Sequence, residues 1–300
     1  MNKSIIVALL TALTADGQDA WDLMASRGRS VVAEFKEQVH PHLTAEESAI
    51  AGQITYSVIP SPVANAQARI DSTGRRRIEI GAGMMLTYEL FSVAMVMQQY
   101  GNPQCGKEYI NVLFDGIAEA TYLKDLGQAS QPGVEPFRYA AQHPEFCKDV
   151  TLQRFRASPA AMKAQQALLG GSLRWLLAHE LGHHLRGHVK SRPRDTEDSR
   201  QREEEADDFA NKIAAKDGPD AIMWAMPAYL TMARLGASGE NESKSTHPAG
   251  ARRARIIFDS LRDLPDKDAS FRADLKRRGL LDAWGQKIEM ILKAIESDLP

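Results

Sequence analysis

The segment from Trp175 to His184, WLLAHELGHH, constrains the fold of this chain more than any other feature. Residues four apart on a helix lie one turn apart on the same face, so His179 and His183 can offer two imidazoles to one ion. The leucines around them indicate a buried helix, which places both histidines in the interior or in a cleft. The segment therefore predicts a metal site on a buried helix. Two core histidines that hydrogen-bond to the backbone are the alternative.

Glu180 follows His179 and lies a third of a turn round the same helix. It is poorly placed to be a ligand of the same kind, but it can reach an open coordination position. There it would take a proton from bound water, whose pKa zinc lowers to about 7. The HExxH pattern of residues 179–183 thus predicts one Zn²⁺ per chain and a hydrolytic reaction with Glu180 as the catalytic base.

A third ligand is available in the acidic segment EEEADDFA, residues 203–210. Helical phasing places Glu203 and Asp207 beside the apolar stripe that Ala206 begins, whereas Glu204 falls on a solvent-facing side. Glu203 is therefore the predicted third metal ligand, and Asp207, one turn later, is predicted to orient one of the histidines. The alternative is that these acids only favour the positive end of a helix. His184 and His188 are rotated away from the pair and are expected to serve local packing or hydrogen bonding.

The remaining sequence predicts an α+β fold that is mostly helical, with a small sheet. Helical spacing is strongest in the three segments Met84–Tyr100, Lys107–Leu126 and Ala160–Val189, the last interrupted at Gly170-Gly171. Alternating residues around the turn at Ser72-Thr73-Gly74 predict a hairpin.

Two later parts of the chain are also predicted. The charged segment Ser191–Arg202 is expected to be a mobile loop, after which a helix runs from Glu203 to about Lys216. Two or three further helices are expected in the C-terminal part, the last including Ile288–Ile295.

The N-terminus has the order of a secretory signal. A single lysine is followed by a short apolar stretch and then by small residues, which predicts a signal peptide over residues 1–17 and a periplasmic or secreted protein. A buried N-terminal helix of a cytoplasmic protein is the alternative. Residues 18–300 are expected to form one domain without a membrane-spanning helix. Cys105 and Cys147 would be bonded in an exported chain and free in a reducing compartment.

The charge balance does not favour a nucleic-acid partner. The net charge is −2 at pH 7, and the short arginine clusters lack interleaved aromatic residues. The expected partner is a protein or peptide substrate.

Several separated blocks resemble the HtpX-like and CAAX-prenyl-protease family of zinc metallopeptidases, which are gluzincins. LLAHELGHHLRGH (176–188) is similar to the family's metal-binding helix, EEEADDFA (203–210) to its ExxAD segment, and STHP (245–248) with Arg253 to its THP segment and later arginine. A weaker block runs from Ala64 to Met85.

The resemblance implies a zincin-like domain whose sheet lies beside the HExxH helix and pairs with an extended peptide substrate. It also implies that His247 lies near the zinc, as a catalytic residue that steadies the developing oxyanion or as an occupant of the open position, and that Arg253 supports the site. Envelope protein quality control is the role that the family suggests.

The sequence thus predicts a zinc-dependent endopeptidase. The competing hypothesis is a zinc-containing binding or chaperone-like protein that does not cleave, in which His247 closes the metal site as a fourth ligand.

Overall fold

The computed structural model describes residues 18–61, 63–125, 134–235 and 250–298. The predicted signal peptide lies outside these residues. The chain is mostly helical with one small sheet, which confirms the predicted α+β class. Before the sheet, α1 (Gln18–Val39) leads through a 3-10 turn to α2 (Ala45–Ala51), whose first turn is capped by Thr44.

Three strands form the sheet: β1 (Thr55–Ile59), β2 (Ala66–Ile70) and β3 (Arg76–Gly81). Their order is β1-β3-β2, so β3 is central and β2 is an edge strand. The β2–β3 pair is the predicted hairpin, whereas β1 was not predicted. β3 becomes buried toward its end, where Ile78 and Ile80 are at most 2% exposed.

The helices after the sheet are, in chain order, α3 (Ala82–Tyr100), α4 (Pro103–Asp125), α5 (Pro136–Gln142), α6 (Pro144–Cys147), α7 (Leu152–Ala157), α8 (Pro159–Leu185), α9 (Thr196–Lys216), α10 (Pro219–Trp224), α11 (Met226–Leu235), α12 (Gly250–Lys267), α13 (Ala269–Arg277) and α14 (Leu281–Asp298). No described helix combines the length and apolar character needed to cross a membrane.

The described residues group into two compact units. The first comprises the described parts of 1–34, 56–67 and 79–170, and the second those of 35–55, 68–78 and 171–300. The expectation of one domain over residues 18–300 stays a prediction.

In the first unit, α3 packs along α4 and is buried over nearly its whole length. A disulfide between Cys105 and Cys147 joins α4 to α6, with 4.8 Å between the Cα atoms. In the loop-entropy model, closing a loop of this length stabilises the fold by about 4 kcal/mol.

The second unit is organised around α12, which contacts α9, α11, α13 and α14. Its inner face contributes Ile257, Phe258 and Leu261, all fully buried. This helix also carries Arg253, so the core of the second unit fixes the position of that side chain.

Several helices differ from the sequence prediction, and in the described residues five helices, α10 to α14, follow α9 where two or three were expected. Helix α8 continues through Gly170-Gly171 without interruption, and the glycine at 171 serves close packing, since a Cβ there would lie 2.6 Å from the Cβ of Trp224. Helix α9 begins at Thr196, so half of the predicted loop is helical. Asp195 caps this start by accepting a hydrogen bond from the backbone N–H of Asp198 at 2.8 Å.

Candidate metal centre

Helix α8 carries the HExxH residues through the interior of the second unit. Leu177, Ala178 and Leu181 are fully buried around them. The indole ring of Trp175 stacks on the imidazole of His179 with 5.6 Å between ring centroids, and its N–H donates to Asn211 at 2.9 Å. Packing against Trp175 thus helps to hold the imidazole of His179 in place.

Three side chains converge at this point: those of His179, His183 and Glu203. The Nε2 atoms of the two histidines are 3.2 Å apart, and the carboxylate oxygens of Glu203 lie 3.6 Å from the first and 3.5 Å from the second. Ligands at about 2.0–2.2 Å from a tetrahedral zinc ion are themselves about 3.3–3.6 Å apart. The two nitrogens are thus about as far apart as two zinc ligands, and each has a different oxygen of the Glu203 carboxylate at a similar distance, Oε2 beside His179 and Oε1 beside His183.

The charge of the site also fits a divalent cation. Glu180, Glu203 and Asp207 are three carboxyl groups in largely buried surroundings, and Arg253 is the guanidinium that pairs with two of them. With all three ionised, the carboxylates against one guanidinium would leave two negative charges, which a divalent ion would balance. Histidine nitrogens with one carboxylate are a donor set typical of zinc.

Helix α9 supplies the acidic residues with the phasing expected from the sequence. Ala206 and Ala210 are fully buried, Glu203 and Asp207 face the histidines, and Glu204 is directed toward Arg252 at 4.0 Å. The Oδ1 of Asp207 lies 2.8 Å from the Nδ1 of His179, on the ring edge opposite the metal-facing nitrogen.

Arg253 holds Asp207 in turn. Its Nε and Nη2 donate to the two carboxylate oxygens at 3.0 and 2.8 Å, and Nη2 also lies 3.3 Å from Glu203. Burial alone would raise the pKa of Asp207, but Arg253 and His179 outweigh burial and lower it. The carboxylate is therefore charged, and its position beside Nδ1 favours the tautomer with the proton on that nitrogen, in which Nε2 would be the donor atom.

Glu180 is 6% exposed and lies beside the three converging side chains. The backbone N–H of Ala68 in β2 hydrogen-bonds to its carboxylate, which links the helix to the edge strand. Burial raises the pKa of Glu180 to about 7, although His179 opposes the shift. A carboxyl group with a pKa near neutrality suits proton transfer at neutral pH.

His183 has a partner that the sequence analysis missed. Its Nδ1 lies 3.0 Å from the Nδ1 of His188, and the Nε2 of His188 lies 3.1 Å from a carboxylate oxygen of Glu205. Burial lowers the pKa of both imidazoles, that of His183 to about 3, so both are neutral. No periodicity in the sequence indicates this contact, because His188 lies beyond the end of α8.

His184 is placed as expected, away from the metal-binding pair. It is 1% exposed, and its Nε2 lies 2.9 Å from the backbone carbonyl of Arg77, which accepts a hydrogen bond from it. This contact attaches helix α8 to strand β3. His247, predicted to act near the metal, lies outside the described residues, as do Thr246 and Pro248.

The structure thus brings together His179, Glu180, His183, Glu203, Asp207 and Arg253, in the arrangement that the sequence analysis expects for them. Their roles in catalysis stay predictions, and so does the closer resemblance to HtpX-like and CAAX-prenyl proteases.

Comparison with known proteins gives an independent finding. No curated protein and no solved structure matches this chain significantly. The family model described as Peptidase U49 matches residues 88–273, more than half of the chain, and this span includes all six of these residues. The chain therefore belongs to the Peptidase U49 family and is a peptidase.

Proposed function

We propose that this peptidase is a zinc-dependent endopeptidase, with His179, His183 and Glu203 as metal ligands and Glu180 as the catalytic base. The observation that carries the proposal is the convergence of two imidazoles and one carboxylate, whose ligand atoms lie within 4.8 Å of one another. Among the described residues, this is the one such group of His, Cys, Asp and Glu side chains. Three protein ligands leave a position open, which is typical of catalytic zinc and not of structural zinc.

Each side chain has a defined task in the proposed reaction. When bound, zinc would polarise the scissile carbonyl and lower the pKa of water. Glu180 would accept a proton from the attacking water and pass it to the amine that leaves. Asp207 keeps His179 in the tautomer whose Nε2 binds metal, and Arg253 keeps Asp207 ionised.

The substrate is proposed to bind as an extended peptide along β2. This strand is at the edge of the sheet, and its Ala68 contacts the carboxylate of Glu180. An edge strand offers backbone groups for pairing with another chain, so a peptide paired there would run past the base. Pairing of this kind uses backbone groups of the substrate and does not require a chain terminus. We therefore propose that cleavage occurs within chains and not only at their ends.

The decisive experiment combines metal analysis with proteolysis of an unfolded protein substrate. The parent protein should hold one zinc per chain and lose cleavage when a chelator removes it. Glu180→Gln should retain zinc and lose at least about 100-fold in kcat, since the base is removed but no ligand is. A Glu180→Gln variant as fast as the parent would exclude this residue as the base.

A matched pair on helix α9 tests the ligand. Glu203→Gln should lower zinc content and abolish cleavage, whereas Glu204→Gln should change neither, because Glu204 faces Arg252 and not the histidines. Equal zinc loss in both variants would contradict the assignment of Glu203.

His247 distinguishes the enzyme from the non-cleaving alternative. If it steadies the oxyanion, His247→Ala should lower kcat and leave zinc bound. If it closes a latent site, the same variant should gain activity. If the parent protein does not cleave and His247→Ala loses both zinc and stability, the metal would be structural.

We also propose that the protein is exported and acts on proteins of the cell envelope. The disulfide between Cys105 and Cys147 supports export, because such bonds persist in oxidising compartments and are rare in reducing ones. Expression with and without residues 1–17, followed by cell fractionation and mass analysis of the mature N-terminus, tests this. Retention of residues 1–17 on a cytoplasmic, reduced protein would refute it.

A further inference from the structure

We propose that His188 and Glu205 hold His183 as a metal ligand through a chain of two hydrogen bonds, so that His188 is a positioning residue of the site. This rests on the proposed metal-dependent function. The starting point is the orientation of His183: its Nε2 faces His179 and Glu203, at 3.2 and 3.5 Å. If Nε2 is the donor to a metal, the proton of the neutral ring must sit on Nδ1.

That proton needs an acceptor. The Nδ1 of His188 lies 3.0 Å away and accepts it when the proton of His188 sits on its own Nε2. The Nε2–H of His188 then donates to the Oε2 of Glu205 at 3.1 Å. The carboxylate of Glu205 thus sets the tautomer of His188, and His188 in turn sets the tautomer of His183, which is the proposed ligand. Metal-binding histidines commonly donate their other N–H to such a partner.

Glu205 is held in place for this contact. The side-chain amide of Gln201, one turn earlier on α9, donates to its other oxygen, Oε1, at 3.0 Å. The Oε2 atom is therefore directed toward His188.

After α8 the backbone turns, and this turn brings His188 into contact with His183. Gly187 ends the helix with a φ of +76°, a left-handed conformation that glycine adopts without strain. The guanidinium of Arg202 on α9 then donates to the backbone carbonyls of His188 and Ser191 at 3.0 and 2.8 Å. Two independent devices, a glycine turn and an arginine that binds two carbonyls, fix the backbone of His188.

The test measures zinc affinity of the full chain by competition with a chelator, together with thermal unfolding of the metal-free proteins. His188→Leu fills the space but cannot hydrogen-bond, whereas His188→Gln offers both an acceptor and a donor. We expect zinc to bind about 10 to 100 times more weakly to the leucine variant. The glutamine variant should bind within a few-fold of the parent.

Glu205→Gln provides a milder change on a half-exposed residue, and we expect a several-fold weaker zinc affinity with the metal-free unfolding temperature unchanged. Glu145→Gln is the matched control, because His143 and Glu145 form a His–Glu contact of the same length, 3.1 Å, elsewhere in the chain. It should leave zinc binding unaltered.

The outcomes separate this inference from the proposed function. A parent protein that binds no zinc would overturn both. A parent that binds zinc, with His188→Leu binding equally tightly, would overturn the hydrogen-bond chain alone. A leucine variant that binds better than the glutamine variant would show that His188 acts by packing, and would also overturn it. Substitution with Co²⁺ adds a spectroscopic check, since its absorption bands should change in His188→Leu and not in Glu145→Gln.

Discussion

The two histidines of the candidate metal centre are supported in contrasting ways. Behind His179, Asp207 and Arg253 form a charged pair whose side chains are 3% and 5% exposed. Behind His183, the support is a neutral imidazole 10% exposed and a carboxylate, Glu205, that is 44% exposed. Burying charge is costly unless it is fully paired, whereas an exposed carboxylate is solvated with or without its partner. The buried side should therefore affect both stability and metal binding, whereas the exposed side should affect metal binding with little effect on stability.

The largest effect should come from breaking the buried pair. Asp207→Ala leaves Arg253 without its main partner in the core, and we expect a loss of roughly 3–5 kcal/mol in the free energy of unfolding. Glu205→Ala should lose less than about 1 kcal/mol. Urea unfolding of the metal-free proteins measures both. Equal losses in the two variants would remove the distinction between the two sides.

A smaller effect, with a characteristic pH dependence, should follow from Glu180→Gln in the metal-free protein. Burial raises the pKa of this carboxyl group from 4.5 to about 7, so ionisation is opposed in the folded state and stability falls as pH rises through that interval. Glutamine does not ionise. The variant should be more stable than the parent by at most about 3 kcal/mol at pH 8, and equally stable at pH 4.

Urea unfolding at pH 4, 6 and 8 with a chelator present checks this expectation. If the variant and the parent differed in unfolding free energy by the same amount at all three pH values, the pKa of Glu180 would not be raised toward 7.

A still smaller stability effect should appear at the turn that carries His188. Arg202→Ala removes hydrogen bonds to two backbone carbonyls, and we expect a loss of about 1–2 kcal/mol together with weaker zinc binding. Lys212→Ala, which removes an exposed pair with Asp208 on the same helix, should cost at most about 0.5 kcal/mol and leave zinc binding unchanged. Calorimetry and chelator competition on the same samples measure the two quantities.

The two pairs of site residues on α8 and α9 could be predicted from the sequence because they depend on periodicity, whereas Arg253 was expected only from the family resemblance. Spacing of four on α8 and on α9 places His179 with His183 and Glu203 with Asp207, whatever the rest of the chain does. The exposed side depends on a backbone turn at Gly187. The periodicity of a helix does not predict the position of a residue that follows such a turn. His188 was accordingly expected only to pack or hydrogen-bond locally, and its contact with His183 was missed.

The fold shows the same limits. Composition suggested a loop over Ser191–Arg202, but Asp195 caps a helix there, and pairs such as Asp198 with Arg202, at 2.8 Å, stabilise its charged surface. Strand β1 was missed because its residues are half-buried and exposed in no strict alternation. Its pairing depends on β3, which is distant in sequence.

The adjacent positions of His183 and His184 have a consequence for how this chain can change. The imidazole of His183 faces the metal-binding cluster, and that of His184 is hydrogen-bonded to the backbone carbonyl of Arg77. A single turn of α8 therefore makes both contacts. Inserting or deleting one residue upstream in that helix would rotate both rings by about 100° and lose both attachments together. Variation in length should therefore be tolerated poorly within α8, and equally poorly in the turn through His188 that follows it.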